Sequence, residues 1–158
     1  MRKLILFSFA IVSSLLCACG KMDPDLGEFQ DMEYIIDMSQ KNQYNKALLC
    51  NQWIRSKVTY EVYRDGVCES STDVTHEWGK STMDLILRDD NSMTLGSENG
   101  RWLYSHNYLL WTPGWWAQEV LKVDKNSLIL RLELPFDELY FINSSGRHDF
   151  YIFEYQAN

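Results

Sequence analysis

The sequence has little basic charge and, after its first residues, no long apolar run. It contains 15 Lys and Arg against 22 Asp and Glu. All of the acidic residues but only 13 of the basic ones follow residue 19, so that part has a net charge of −9. Such a charge argues against a nucleic acid partner, because phosphate binding needs clustered Lys and Arg. No later segment is apolar for long enough to span a bilayer.

The sequence also lacks the side-chain patterns of common enzymes and metal sites. Its three histidines, His76, His106 and His148, are far apart and have no thiolate or carboxylate at zinc-ligand spacing. No Gly-x-Ser-x-Gly occurs, and Cys68 has no neighbouring His. We therefore expect a protein that is not an enzyme, with no catalytic residues, no cofactor and no metal.

The first 19 residues have the layout of a secretory signal. Arg2 and Lys3 precede an apolar run over residues 4–16, which is short for a transmembrane helix. Leu16-Cys17-Ala18-Cys19 follows, and it resembles the lipobox of bacterial lipoproteins. The resemblance implies a signal peptide over residues 1–18 and an acyl anchor at Cys19, in the outer membrane of a Gram-negative bacterium, on its periplasmic or surface side. The alternative is an ordinary signal peptide that is cleaved nearby.

Two further cysteines, Cys50 and Cys68, would belong to an exported protein, in which disulfides persist. A bridge between them is our favoured expectation, and two free thiols are the alternative.

Residues 19–48 read as a lipidated tether followed by a short helix. Gly20, Pro24 and Gly27 interrupt regular structure early in this segment. Phe29, Met32 and Ile36 then fall on one side at helical spacing.

From residue 49 the apolar pattern changes to period two. In residues 52–64, Ile54, Val58, Tyr60 and Val62 share one face. Asp65-Gly66 predicts a hairpin turn after this first strand. The whole segment gives eight or nine short strands, each joined to the next without a long helix. The sequence therefore predicts an all-β domain over residues 49–158, a small antiparallel up-and-down β-barrel of about eight strands.

Short motifs in this segment resemble the lipocalin-like, or calycin-like, domains of bacterial lipoproteins. Leu49-Cys50-Asn51-Gln52-Trp53 enters the first strand, Gly100-Arg101-Trp102 lies midway, and an aromatic strand ends the chain. Lipocalins begin with Gly-x-Trp, and Asn51 stands in place of the glycine. The resemblance implies that Trp53 packs across the closed end of the barrel. It also implies an Arg near the last strand, for which Arg147 is the nearest candidate.

Aromatic residues supply the main functional signal. Trp111, Trp115 and Trp116 flank the Pro113-Gly114 turn, and Tyr108 begins the same strand. Consecutive tryptophans in a strand point to opposite faces, so one of Trp115 and Trp116 should face inward. We predict that these four aromatics bind a small apolar or amphipathic ligand. We expect Trp53, Trp78 and Trp102 to fill the core. For Trp111, Trp115 and Trp116, a place in the core is an equal alternative to ligand binding.

A second hypothesis is a protein-interaction module, either an inhibitor or an accessory subunit of an envelope complex, with a filled barrel. The longest connection, residues 134–148, carries Phe136, Tyr140 and Phe141 as candidate contacts for such a partner. Both hypotheses share the membrane anchor at Cys19.

Overall fold

The chain is built from β-strands joined by short turns. The computed structural model describes residues 26–78, 84–112, 116–134 and 146–158. Its strands are β1 (Gln52–Arg64), β2 (Val67–Asp73), β3 (Leu85–Leu87), β4 (Ser92–Leu95), β5 (Glu98–Ser105), β6 (Tyr108–Thr112), β7 (Trp116–Val123), β8 (Ser127–Glu133) and β9 (Arg147–Ala157). Its 3₁₀ helices span Gly27–Ile35, Lys46–Leu48 and Thr75–Trp78.

Eight of these strands close into an antiparallel barrel. From β3 to β9 each strand is hydrogen-bonded to the next, and β1 closes the wall by pairing with both β3 and β9. The β1–β9 pairing extends from Trp53 opposite Ala157 to Arg64 opposite Arg147. The predicted up-and-down barrel of about eight strands is therefore confirmed.

The ninth strand, β2, lies outside this wall. β1 is long enough to have two neighbours on one edge, so Gln52 and Trp53 pair with β3 while its second half pairs with β2. All seven residues of β2 are exposed. Its polar sequence, Val-Cys-Glu-Ser-Ser-Thr-Asp, offers no apolar face for the barrel interior, which explains why it forms an outer ribbon.

Alternating side chains from the eight wall strands fill the interior. In β8, Leu128, Leu130 and Leu132 all point inward and lie opposite Tyr155, Phe153 and Tyr151 of β9. We call the buried residues of this interior the inner cluster. It comprises Leu49, Trp53, Val58, Val74, Leu85, Leu87, Met93, Trp102, Tyr104, Leu109, Trp111, Val120, Val123, Leu128, Leu130, Leu132, Phe153 and Tyr155.

Left-handed residues shape the tight turns. Asp65 (φ 49°) and Gly66 (φ 81°) join β1 to β2, as the sequence predicted, and His106 (φ 52°) and Asn107 (φ 67°) join β5 to β6. Gly146 touches the first of these turns, because a Cβ there would lie 2.1 Å from Asp65 Oδ1. A larger residue at 146 would displace the Asp65 side chain and would be strained, because φ at this position is 60°.

A second apolar cluster lies outside the barrel. The 3₁₀ helix Gly27–Ile35 packs its apolar side on the outer face of β5, β6 and β7. The buried residues of this outer cluster are Leu26, Phe29, Met32, Ile36 and Leu110. The residues that predicted a helix are the ones that are buried, and the helix is of the tighter 3₁₀ type.

Candidate functional site

The two ends of the barrel are covered differently. The β3–β4, β5–β6 and β7–β8 turns lie at one end, and residues 42–49 lie across it through contacts with β1, β5, β7 and the β3–β4 turn. We call this the closed end. We call the opposite end the upper end. It carries the β1–β2 and β4–β5 turns, the last residues of β6 and β8, and the first residues of β7 and β9.

A polar network secures the closed end. Tyr104 donates its hydroxyl to Asn107 Oδ1 at 2.8 Å, and Asn107 Nδ2 donates to Val120 O at 3.1 Å. The Asn107 backbone N–H donates to Asn42 Oδ1 at 2.9 Å, and the Tyr44 N–H donates to the Tyr104 hydroxyl at 3.2 Å. Burial raises the pKa of Tyr104, which therefore stays a neutral donor at neutral pH.

Two fully buried tryptophans belong to the same end. Trp53 Nε1 donates to Leu49 O at 2.8 Å, and Trp102 Nε1 donates to Arg88 O at 2.9 Å. Lys46 Nζ lies 5.0 Å from the centroid of the Trp102 ring, within cation–π range. Lys46 and Trp102 are far apart in sequence, so no local pattern could indicate this contact.

Arg147 does not lie over Trp53. Trp53 pairs with Ala157 at the last residue of β9, whereas Arg147 is the first residue of that strand. The resemblance to lipocalins therefore holds for the place of the tryptophan and not for an arginine from the last strand.

Two of the predicted ligand residues come together at the upper end. Trp111 of β6 and Trp116 of β7 are direct cross-strand partners, so their side chains lie on the same, inner face. Trp111 is buried in the inner cluster, whereas Trp116 remains 39% exposed at the start of its strand. Trp116 therefore faces inward.

Tyr108, by contrast, does not join these tryptophans. It lies three residues before Trp111 and therefore on the opposite face of β6, where it packs against the outer cluster. It also begins β6 at the closed end. Burial there raises the pKa of Tyr108. The structure thus removes Tyr108 from the predicted ligand site, because strand alternation and strand direction both separate it from Trp111.

Two buried polar atoms on the inner face of β6 and β7 have no hydrogen-bond partner among the described residues. They are Trp111 Nε1, a donor, and Gln118 Oε1, an acceptor. Gln118 lies opposite Leu109, so it shares the inner face with Trp111. Leaving one such group unpaired costs about 1–3 kcal/mol. Sequence patterning did not point to Gln118, because a single polar residue in an apolar strand carries no distinctive signal.

A charged cluster at the upper end is fully paired. Arg147 donates to Asp149 through Nε at 2.7 Å and through Nη2 at 2.8 Å, and the Tyr60 hydroxyl also donates to this carboxylate. These bonds, led by Arg147, hold the pKa of Asp149 below its ordinary value. The bond to Asp149 raises the pKa of Tyr60. The cluster is arranged for stability, since each acid and base already has its counterpart.

Trp78, from the 3₁₀ helix Thr75–Trp78, packs against the inner cluster beside β9. Its ring lies edge-on to Tyr151 and Phe153, with centroids 5.0 and 5.2 Å away. Arg55 Nη2 donates to the Trp78 carbonyl at 2.8 Å. Trp53 and Trp102 thus lie in the core, as predicted from the sequence, whereas Trp78 is partly buried and packs against it.

Cys50 and Cys68 are free thiols in the structure. Cys50 lies just before β1, whereas Cys68 pairs with Tyr63 near the other end of that strand. β1 has 13 residues, so its ends are roughly 40 Å apart along the strand, while a disulfide needs Cα atoms within about 7 Å. The favoured bridge is therefore not made, because the strand register separates the two residues. Burial raises the pKa of Cys50.

A shallow groove lies on the outside, between the first 3₁₀ helix and the barrel wall. Its volume is about 330 Å³. One wall carries an exposed ion pair, with Arg101 Nε 2.7 Å from Glu28 Oε1. It is lined by Leu26, Gly27, Glu28, Phe29, Asn91, Arg101, Trp102 and Leu103.

Several predicted residues lie outside the described ranges. They are Cys19, Trp115, Phe136, Tyr140 and Phe141. In the ranges that are described, no three His, Cys, Asp or Glu side chains are grouped so that they could hold a metal ion. No helix within those same ranges has the length and apolar character needed to cross a membrane.

Comparison with known proteins assigns no family to this closed eight-stranded barrel. No protein-family model, no curated protein and no solved structure matches the chain.

Proposed function

We propose that this protein is a lipid-anchored lipoprotein of the cell envelope that binds a small apolar or amphipathic ligand at the upper end of its barrel. The observation that carries the proposal is the position of Trp116. Its side chain belongs to the inner face, opposite the buried Trp111, yet it is 39% exposed. A partly exposed tryptophan at the rim of an apolar interior is a ready stacking surface for a ligand.

The contrast between the two ends supports this placement. Residues 42–49 cover the closed end and satisfy its polar groups, so a ligand would have to displace a hydrogen-bonded segment to enter there. At the upper end the described inner face offers Trp116, Trp111 and the partly buried Tyr151. We therefore place the ligand between the rim and the inner cluster.

Binding, rather than catalysis, is the proposed activity of this end. Its one buried carboxylate, among the described residues, is Asp149, and that group is engaged by Arg147 and Tyr60. A carboxylate held ionised by two donors is poorly suited to act as a general base.

A fluorescence titration with the neutral dye N-phenyl-1-naphthylamine tests the proposal. We expect saturable binding by the native protein and about tenfold weaker binding by Trp116→Ala, because the ring contributes apolar contact area. Leu121→Ala is the matched control, since Leu121 is 37% exposed on the same strand but near the closed end. Absence of saturable binding, or equal losses in both variants, would contradict the proposal.

The protein-interaction module is the second candidate, and one observation favours it. Trp53 and Trp102 are completely buried and, with the leucines around them, occupy the lower part of the barrel. A barrel filled in this way leaves its function to the loops. For this candidate, Phe141→Ala should abolish cross-linking to an envelope protein while dye binding stays unchanged.

The anchor is tested separately. Growth with an alkyne-labelled fatty acid should label the native protein and leave Cys19→Ala unlabelled, whereas Cys50→Ala keeps the label. Labelling of Cys19→Ala would contradict acylation at this residue.

A further inference from the structure

Trp111 and Gln118 place an unpaired donor and an unpaired acceptor in the same part of the interior. Trp111 is paired with Trp116, and Gln118 with Leu109, so Trp111 and Gln118 are diagonal neighbours across β6 and β7. Diagonal neighbours on one face have Cα atoms about 7–8 Å apart, and long side chains bridge that distance. Both side chains are 3% exposed, yet Trp111 Nε1 and Gln118 Oε1 have no partner among the described residues.

We propose that these two atoms form the head-group site for a neutral ligand whose polar group both accepts and donates a hydrogen bond. A primary amide or an alcohol at the end of an apolar chain has this chemistry. Its oxygen accepts from Trp111 Nε1, and its N–H or O–H donates to Gln118 Oε1. This inference rests on the proposed ligand-binding function and specifies the chemical class of the ligand.

The local chemistry favours a neutral head group over a carboxylate. A carboxylate has no proton to donate, so it would leave Gln118 Oε1 unpaired and would face its partial negative charge. The guanidinium of Arg147 already makes two bonds to Asp149, so its charge is balanced within its own cluster. The sequence as a whole has a net charge of −7, which further disfavours an anion.

The position of Trp116 gives the ligand a place for its apolar part. Trp116 faces the same interior as Trp111 and is partly exposed at the rim. A chain that stacks on Trp116 lies beside Trp111, its direct cross-strand partner, and its head group reaches Gln118 one same-face pair further along the strands. The register thus places the apolar contact and the donor at one level and the acceptor one pair deeper.

The test uses four eight-carbon probes that differ in their polar groups, namely octanamide, 1-octanol, heptyl methyl ether and octanoate. Each displaces N-phenyl-1-naphthylamine from the native protein. We expect octanamide and 1-octanol to bind about five- to tenfold more tightly than the ether, which accepts but cannot donate, because one neutral hydrogen bond is then missing. Octanoate should bind less tightly than octanamide by at least the same factor.

Two variants test the contributions of Gln118 Oε1 and Trp111 Nε1 separately. Gln118→Met should weaken octanamide about five- to tenfold and leave the ether within twofold, whereas Trp111→Phe should weaken both. Gln156→Met, at the exposed end of β9, and Trp53→Phe, at the closed end, are the matched controls and should change neither affinity. Circular dichroism confirms that each variant is folded.

The outcomes distinguish this inference from the proposed function. If the native protein binds all four probes equally and Gln118→Met changes nothing, the head-group site is refuted while ligand binding at the upper end stands. If the native protein binds neither the dye nor any probe, the proposed function fails first. Tightest binding of octanoate overturns the inference as well.

Discussion

The closed end of the barrel and the inner face of β6 and β7 treat their buried polar groups in opposite ways. At the closed end, Asn107 pairs with Tyr104, Val120 and Asn42, and the two indole groups there donate to backbone carbonyls. On the inner face of β6 and β7, Trp111 and Gln118 leave a donor and an acceptor unpaired among the described residues. Paired polar groups fix a structure, whereas unpaired ones keep their bonding capacity for a ligand.

Strand β7 contains both a paired and an unpaired polar group. Its carbonyl at Val120 accepts from Asn107 at the closed end, while Gln118, two residues closer to the upper end, has an unpaired oxygen. The Tyr60–Asp149–Arg147 cluster shows that the upper end as a whole is not poorly satisfied. The unpaired groups are therefore a local property of the β6–β7 pair.

The largest effect is expected from removing a closed-end tryptophan. Trp102→Ala should lower the free energy of unfolding by about 3–5 kcal/mol, because it deletes a completely buried ring and leaves a cavity. Trp116→Ala should cost less than about 1 kcal/mol, since that ring is partly exposed. Urea unfolding measures both values, and similar losses in the two variants would erase the difference between the ends.

Removing the side chain of Asn107 tests the closed-end network. Asn107→Gly should destabilise the fold by about 2–3 kcal/mol, because Tyr104 and the Val120 carbonyl lose their partner. Asn107→Ala should cost about 1 kcal/mol more, since φ at this position is 67° and only glycine adopts that angle freely. A loss below 1 kcal/mol in the glycine variant would show that the network contributes little.

The charged cluster at the upper end predicts a pH dependence. The folded-state pKa of Asp149 lies below its ordinary value, near 4 in unfolded chains. Its contribution is therefore complete above about pH 4 and is lost as the pH falls through the lower, folded-state pKa. Asp149→Asn should cost about 1–2 kcal/mol at pH 7, and this difference should shrink progressively below pH 4. A pH-independent difference in urea midpoints would argue against the ionised pairing.

The smallest expected effect has the opposite sign. Gln118→Met should raise the free energy of unfolding of the ligand-free protein by about 0.5–1 kcal/mol, because it replaces a buried unpaired polar group with an apolar one of similar size. Gln156→Met, at an exposed position, should leave stability unchanged. A lower stability of Gln118→Met would show that its oxygen has a partner in the ligand-free fold.

The strands could be predicted because each one carries its own apolar alternation or turn signal. Leu128, Leu130 and Leu132 mark the inner face of β8 in sequence as they do in the structure, and Asp65-Gly66 marks the first hairpin. The apolar stripe of Phe29, Met32 and Ile36 also indicated the residues that are buried. Each of these signals depends on near neighbours along the chain.

The site was only partly predictable, because its members are brought together by register across strands. Trp111 and Trp116 were expected in one site and are direct partners, but Tyr108, which was grouped with them, lies on the opposite face, and Gln118 was missed. The sequence spacing of Cys50 and Cys68 also did not indicate that they lie near opposite ends of β1. Register depends on distant partners and bulges, for example the irregularity between Arg55 and Lys57.

The sequence by itself determined an all-β chain, because alternation of apolar and polar residues with tight turns leaves no segment suited to a long helix. Only the tertiary structure decided that β1 pairs with β9 to close the wall, that β2 stays outside, and that residues 42–49 cover one end. These features depend on pairings between residues far apart in the chain. Such pairings are selected by the burial and hydrogen bonding of the whole barrel, rather than by any local pattern.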